Sequence, residues 1–291
     1  MKLQYAKGWA AVFASAFFFY LATATIRWAQ SSVSIEPAFF VFGRFALGFV
    51  VVALSMAIQR RSPRVHRARF LAGRTISNTL AVFFFYQAVE TTTVANANIL
   101  NMTYPIFVAL IAWFFVREQR DGVAMVMVPA AFAGIWLIVA PGGGQWDWHN
   151  GWGLASGITA SFAIIFLNLT RKYESAETTL FHMFGWGALI IWGMFHDRIH
   201  LPNAAELYYL SLCSIFGVGG QYLLTYGFRY VTAVEGSIIT SMRILLAAVL
   251  GPLMVADPAL TPSGWLGAVL IFLANVVLAV RKTRQAKRAE L

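Results

Sequence analysis

Charged residues are scarce in this chain. Only 12% of its 291 residues are Asp, Glu, Lys or Arg, and 59% are apolar, whereas about a quarter of a soluble domain is charged. The single cysteine, Cys213, cannot form an internal disulfide. The sequence also lacks a nucleophile elbow, a phosphate-binding glycine loop and a cluster of carboxylates. These absences argue against a disulfide scaffold, an ATP-driven pump and a soluble enzyme.

Long apolar runs fill most of the sequence. The run from Pro37 to Ile58 contains one charged residue, Arg44, and similar runs recur about ten times. A transmembrane helix needs about 20 mainly apolar residues. The sequence therefore predicts an all-α integral membrane protein with ten transmembrane helices near residues 8–27, 37–58, 75–91, 94–116, 122–140, 151–170, 179–196, 207–228, 233–255 and 263–280.

The positive charges are concentrated in alternate loops. With the N-terminus in the cytoplasm, 18 of the 22 Lys and Arg residues lie on the cytoplasmic side. Arg27 and Arg198 lie outside, and Arg44 and Arg243 lie within helices. This asymmetry follows the positive-inside rule. It predicts cytoplasmic termini in the cell inner membrane and explains the net charge of +10 without nucleic acid. The first run lacks a small-residue cleavage site and is interpreted as a retained helix.

The second half of the chain repeats the first. The matches keep an offset of 140–143 residues: FGRFAL at 42–47 with FGWGAL at 184–189, and YQAVETTTV at 86–94 with YGFRYVTAV at 226–234. We predict two five-helix repeats, residues 1–145 and 146–291. Because five is odd, the repeats are inverted in the membrane. Inverted repeats are typical of secondary transporters, with the substrate site between the halves near the midplane.

A family resemblance is carried by the stretch YQAVETTTVANANILNMTYPIFVALIAWFFVRE at 86–118, together with Arg74 before it. It joins an Ala-rich turn to a Pro-bearing helix that ends near a Glu, and the residues concerned are Ala88, Ala95, Pro105 and Glu118. The pattern resembles the EamA type of the drug/metabolite transporter superfamily. The second repeat departs from it at 244–245 and 257–258, where a Pro and a Glu are usual. The resemblance implies a ten-helix transporter, in a family that moves amino acids, vitamins, nucleotide-like metabolites and drugs.

Two arginines within the predicted helices are the strongest candidates for contact with a substrate. Arg44 and Arg243 each cost at least about 2.5–3.5 kcal/mol in the membrane interior, and no Asp or Glu lies deep in a predicted helix. In one interpretation they bind an anionic group of the substrate, such as a carboxylate. In the other they are structural, held by helix carbonyls, with Glu36 as a partner of Arg44.

Other polar and aromatic residues complete the predicted site. Asn98, Asn101 and Pro105 have the i, i+3, i+7 spacing of one helix face, and Pro105 frees a backbone carbonyl one turn earlier. The alternative is that the asparagines are interhelical hydrogen-bonding groups, and that the others lie in the core or face lipid. The remaining candidates are Asn78, His182, Trp186, Tyr222 and Tyr226.

The expected function is secondary transport by alternating access. The predicted substrate is a small carboxylate-bearing or zwitterionic metabolite that resembles an amino acid. Alternatives are a flavin-like or nucleotide-like metabolite, and a membrane-embedded enzyme that modifies lipid. His196 and His200 are the only candidates for such an enzyme, and they lie in a predicted outer loop. We expect no enzyme activity, cofactor or metal. The expected partners are the substrate and membrane lipid, with the chain acting as a monomer or homodimer.

Overall fold

The computed structural model describes residues 2–115, 122–140, 147–170, 172–227, 230 and 233–289, and these residues form helices without strands. The helices are α1 Lys2–Gln30, α2 Pro37–Ile58, α3 Ala68–Thr91, α4 Val94–Asn101, α5 Tyr104–Phe115, α6 Gly122–Val139, α7 Asn150–Thr170, α8 Ala176–Phe195, α9 Ala204–Gly227, α10 Ala233–Met254 and α11 Pro262–Ala289. A 3-10 turn, His196–Arg198, follows α8. Residue 116, residue 228 and the predicted repeat boundary at 145–146 lie outside the described residues.

The ten-helix architecture is confirmed. Seven membrane spans in the described residues are long and apolar enough to cross a bilayer, with α4 and most of α5 counted as one span. Two shorter apolar helices lie within α6 and α10. The remaining helix, α3, carries Arg69 and Arg74 in its first two turns. It begins at Ala68, two turns before the predicted start at 75.

Predicted helix 4 is not one continuous helix, which corrects the sequence interpretation. It consists of α4 and α5, with a break at Met102 and Thr103. Pro105 has no N–H to donate to the carbonyl of Asn101, so the helical hydrogen-bond ladder is interrupted there. The break is stabilised by α11, because Asn275 Nδ2 donates to the Met102 carbonyl at 2.8 Å. A polar side chain therefore donates a hydrogen bond to a backbone carbonyl at the break in the helix.

The helices pack as two inverted halves. In chain order α1 corresponds to α7, α2 to α8, α3 to α9, α4 and α5 to α10, and α6 to α11. The most extensive helix contacts are those of α3 with α7 and of α1 with α9. Each joins one half to the other, and the helix correspondence makes the two contacts equivalent. α2 packs on its own counterpart α8, and α6 on its own counterpart α11. Such pairing is expected around a twofold axis in the membrane plane.

Glycines allow close approach where α6 crosses α11. A Cβ on Gly134 would lie 2.8 Å from the carbonyl oxygen of Gly267, and one on Gly267 would lie 2.5 Å from that of Gly134. Neither helix can therefore carry a larger residue at this point without moving away from the other. Small residues are the usual means by which membrane helices come into close contact.

Polar contacts join the two halves at one end of the bundle. Arg27, in the last turn of α1, forms an ion pair of 2.8 Å with Asp257, which follows α10. The second oxygen of Asp257 accepts the N–H of Val94, the first residue of α4, at 2.6 Å. Arg27 also donates to the Thr92 carbonyl at 2.6 Å. Asp257 thus holds α1 and the start of α4 against the end of α10.

A second polar group joins the halves at the opposite end. Glu174, in the loop before α8, accepts the backbone N–H groups of His66 and Arg67 at 2.6 and 2.7 Å. Although burial of this carboxylate opposes ionisation, these donors hold the pKa of Glu174 below its ordinary value. Arg61 forms an ion pair of 2.7 Å with Glu177 nearby. These residues lie in two loops, or in the first turn after one of them, and the positive-inside rule predicts a common side of the membrane for both loops.

Candidate functional site

The two membrane-embedded arginines lie at similar depths in the bundle. Arg44 is about one turn from the middle of α2, and Arg243 is at the middle of α10. Arg44 belongs to the first half and Arg243 to the second, and each is only 7% exposed. The fold therefore brings one buried cation from each half toward the centre.

Arg44 is held by a tyrosine and by a glycine. Its Nη1 donates to the hydroxyl of Tyr86, on α3, at 3.1 Å. The Tyr86 hydroxyl also accepts from the thiol of Cys213, on α9, at 3.6 Å. Gly217, one turn further along α9, gives the arginine room, because a Cβ there would lie 2.8 Å from Arg44 Nε. The Nε itself is buried and makes no hydrogen bond to the described residues.

Arg243 is held by a chain of polar groups. Its Nη2 donates to Asn101 Oδ1 at the end of α4. The other side of that amide, Asn101 Nδ2, donates to Ser156 Oγ on α7 at 2.6 Å. Ser156 Oγ in turn donates to the Ala81 carbonyl on α3 at 2.9 Å. The serine therefore fixes the orientation of the Asn101 amide, with its oxygen toward the arginine. Arg243 Nε is buried and lacks a hydrogen-bond partner in the described part of the chain.

A single aromatic ring, Phe19 of α1, contacts both guanidinium groups. The Cζ atoms of Arg44 and Arg243 are 5.5 and 5.9 Å from its centroid. The two cations are therefore no more than about 11 Å apart. At that distance and an effective dielectric constant of about 20, two like charges repel by about 1.5 kcal/mol, and more if they are closer. The rings of Tyr86 and Phe85 each face one arginine, at 5.9 and 5.2 Å.

The described carboxylates do not neutralise these charges. Eight of the twelve acidic side chains are described, and all lie at helix ends or in loops. Among the described residues, no ion pair includes Arg44 or Arg243. The expected alternative, a bond between Glu36 and Arg44, is wrong because Glu36 forms an ion pair with Arg198 at 2.9 Å. The cation–π contacts with Phe19, Tyr86 and Phe85 offset only part of the cost of burial.

The structure separates the other residues of predicted helix 4. Asn101 contacts Arg243, and Pro105 lies in the first turn of α5 beyond the break. Asn98 turns to α1, where its Nδ2 lies 3.3 Å from Thr23 Oγ1, and it also donates to the Val94 carbonyl of its own helix at 2.8 Å. These bonds are of the kind that the alternative interpretation describes, in which Asn98 joins helices, and its contact with a substrate stays a prediction.

The remaining predicted residues do not hydrogen-bond to either arginine in the described part of the chain. Trp186 is 57% exposed on α8, and Tyr226 is exposed at the end of α9, where it packs on Tyr230. His182 lies 3.0 Å from the Pro63 carbonyl, near the end of the bundle that contains Glu174. Asn78 is half-buried on α3, and Tyr222 is half-buried against the main core.

Residues that the sequence interpretation missed form much of the site. Phe19 is the last of three consecutive phenylalanines in α1, and nothing in the sequence distinguishes it from its neighbours. Tyr86 lay within the repeat match but was not assigned a role. Ser156 is one of many small polar residues in α7. Only Tyr86 carried a sequence signal, its recurrence in the repeat.

The arginines are enclosed. Two clefts in the described part of the chain lie elsewhere, and neither is lined by Arg44 or Arg243. One, of about 350 Å³, is lined by residues 30–35 and Glu90 at the end that contains Asp257. The other, of about 310 Å³, is apolar and is lined by Trp9, Ala10, Phe13, Ile239 and Met242. Because each arginine is only 7% exposed, a metabolite does not reach the guanidinium groups in this conformation, and we expect helices to move before it binds.

Ten membrane helices in two inverted halves, with buried polar groups between them, define the architecture of a secondary transporter. The model of the EamA-like transporter family matches the chain twice, at residues 6–140 and 148–280. The chain therefore belongs to the EamA-like transporter family and is a multi-pass membrane transporter.

Individual relatives agree with this assignment. An uncharacterized transporter of Helicobacter pylori is 29% identical over 72% of this chain and 73% of its own length. Solute carrier family 35 member G1 of Mus musculus is 23% identical over 94% of this chain and 78% of its own length. A solved structure described as "Crystal structure of protein" covers 95% of this chain and 99% of its own, with a TM-score of 0.59 and 16% identity. That likeness concerns the fold alone.

Proposed function

We propose that this transporter moves a small carboxylate-bearing organic metabolite, and that the carboxylate binds between Arg44 and Arg243. The observation that carries the proposal is the pair of buried guanidinium groups on Phe19 without a described carboxylate partner. Guanidinium groups bind carboxylates through two parallel hydrogen bonds. A bound anion would remove the repulsion between the cations.

The enclosure of the site supports transport by alternating access. Arg27–Asp257 holds the halves together at one end, and Glu174 holds them together at the other. Each group of contacts joins the first half to the second, so opening one end requires only that its own contacts separate. A membrane transporter with a central site and a closure at each end can expose that site to the two sides in turn.

The proposed orientation follows from charge. The end that contains Arg61, His66 and Glu174 carries the basic loops and faces the cytoplasm. The end that contains Arg27 and Asp257 then faces outward from the cell inner membrane. Both termini are cytoplasmic in this arrangement.

Conservative replacement of the arginines tests the proposal. Arg44→Lys and Arg243→Lys retain the charge but not the planar fork, so we expect each to lose most carboxylate transport. Transport is measured in proteoliposomes as uptake of radiolabelled lactate, succinate and leucine, with thermal stability measured in parallel. Arg64→Lys, in an exposed loop, is the matched control and is expected to transport normally.

The parallel stability measurement separates the two roles. If both lysine variants transport normally, the arginines are structural and the proposed site is wrong. If either variant loses stability and transport together, that arginine serves the fold. Loss of transport with stability near that of the control is the expected result.

A further inference from the structure

The charge of the site points to a more specific class of substrate. We infer that the site takes a small organic dianion, a dicarboxylate or a phosphate monoester, in preference to a zwitterion such as an amino acid. This inference rests on the anion site of the proposed function, between Arg44 and Arg243, where the phosphate of a monoester would take the place of the carboxylate. It goes further because it assigns both arginines to one solute and gives that solute two negative charges.

The first argument is charge balance. Arg44 and Arg243 bring two buried positive charges within about 11 Å of each other. A monocarboxylate has one negative charge and would leave one of the two positive charges uncompensated. A zwitterion has no net charge and would leave the net charge of the site unchanged. Because buried charges are stable only when paired, a solute with two negative charges gains the most from binding here.

The second argument is the supply of hydrogen-bond donors. A guanidinium group has five N–H donors. Arg44 uses Nη1 for Tyr86, and Arg243 uses Nη2 for Asn101. The Nε group of each arginine is buried without a hydrogen-bond partner among the described residues. Each arginine therefore keeps donors free for one anionic group.

The third argument concerns the ammonium group of a zwitterion. Such a group needs a carboxylate or several oxygen acceptors. The two most buried of the described carboxylates are already occupied, Asp257 by Arg27 and Val94, and Glu174 by His66 and Arg67. Around the arginines the described oxygen acceptors, Asn101 Oδ1 and the Tyr86 hydroxyl, already accept from the guanidinium groups, and the rings of Phe19 and Phe85 already face these cations.

A binding panel on the purified protein tests the inference. Succinate, glycerol 3-phosphate, lactate and leucine are compared by calorimetry at constant ionic strength and about pH 8, where a phosphate monoester with a second pKa of about 6 is a dianion. We expect one or both dianions to bind at least about tenfold more tightly than lactate, and leucine to bind most weakly. Preference for succinate identifies a dicarboxylate, and preference for glycerol 3-phosphate a phosphate monoester.

Neutral variants show whether both arginines act on one solute. Arg44→Gln and Arg243→Gln should each weaken binding of the preferred dianion by about tenfold or more, with Arg64→Gln as the surface control. The panel on the unaltered protein is decisive even if a glutamine variant fails to fold.

The outcomes distinguish this inference from the proposed function. If lactate and the dianions bind equally and both lysine variants lose transport, the preference for a dianion is refuted and the proposed carboxylate site stands. Tighter binding of leucine than of the dianions also refutes the preference for a dianion. If no anion binds and the lysine variants transport normally, the proposed function itself is wrong.

Discussion

Two buried tyrosines, Tyr86 and Tyr20, provide a direct test of the site's energetics. Both side chains are fully buried. The hydroxyl of Tyr86 accepts a hydrogen bond from Arg44 at 3.1 Å, whereas that of Tyr20 has no hydrogen-bond partner among the described residues. The same substitution, Tyr→Phe, removes one oxygen atom at each position and keeps the ring. The two variants are therefore matched in size but opposite in expected effect.

The magnitudes follow from these contacts. A hydrogen bond to a charged group contributes about 1.5–3 kcal/mol, and its loss leaves a buried donor of Arg44 unsatisfied, so Tyr86→Phe should destabilise the protein by about 2 kcal/mol. A buried hydroxyl without a partner costs about 1–3 kcal/mol. Tyr20→Phe should therefore stabilise the protein by about 1 kcal/mol. The difference between the variants is about 3 kcal/mol in the free energy of unfolding.

The assay uses the one cysteine of the chain. Cys213 is fully buried, so a thiol-reactive fluorescent dye reports its exposure during thermal or denaturant unfolding. Because its sulfur lies 3.6 Å from the Tyr86 hydroxyl, the intrinsic fluorescence of the ten tryptophans serves as a second probe. If both variants shift stability in the same direction, or if Tyr86→Phe has no effect, the reasoning about the Arg44 hydrogen bond is refuted.

Two further predictions concern packing and orientation. Gly134→Ala should cost about 2 kcal/mol of stability by overpacking the α6–α11 crossing. Gly193→Ala is the control: a Cβ there would have no neighbour within 4 Å, and the variant should gain about 0.5–1 kcal/mol. Equal effects in unfolding experiments would contradict the close approach of α6 and α11. Leu201→Cys, at the end opposite the basic loops, should react with an impermeant maleimide added outside intact cells, and Arg64→Cys should react only after the membrane is opened. The reverse pattern would overturn the proposed orientation.

The sequence predicted the break between α3 and α4 and missed the one between α4 and α5. Thr93 caps the start of α4 by accepting the N–H of Asn96 at 3.0 Å, a local signal that a threonine in this position provides. The second break depends on Pro105, which the sequence shows, and on the contact with Asn275 of α11, which only the structure shows. Asn275 is 173 residues away from Met102 in the chain, so no local pattern could connect them.

The candidate site likewise contains residues that the sequence reveals and residues that only the structure reveals. Arg44 and Arg243 could be identified in the sequence because a charge within an apolar run is visible to inspection and costly in lipid. Their partners could not, since Phe19 and Ser156 differ from many similar residues only in their position in space. Glu36 illustrates the limit. It precedes Arg44 by about two helical turns and is a partner of Arg44 in one sequence interpretation, yet it pairs with Arg198.

By itself the sequence determined that the chain is a membrane protein, that it has ten helices, and that these form two halves. These properties are sums over local residues: about twenty apolar positions make a span, and matching stretches of sequence mark the two halves. Only the tertiary structure decided that one arginine from each half meets the same ring, and that a serine on α7 orients the amide that holds Arg243. The contacts of the Asn101 amide join residues 55 and 142 positions apart in the chain, and the site is complete only once helices from both halves are packed together.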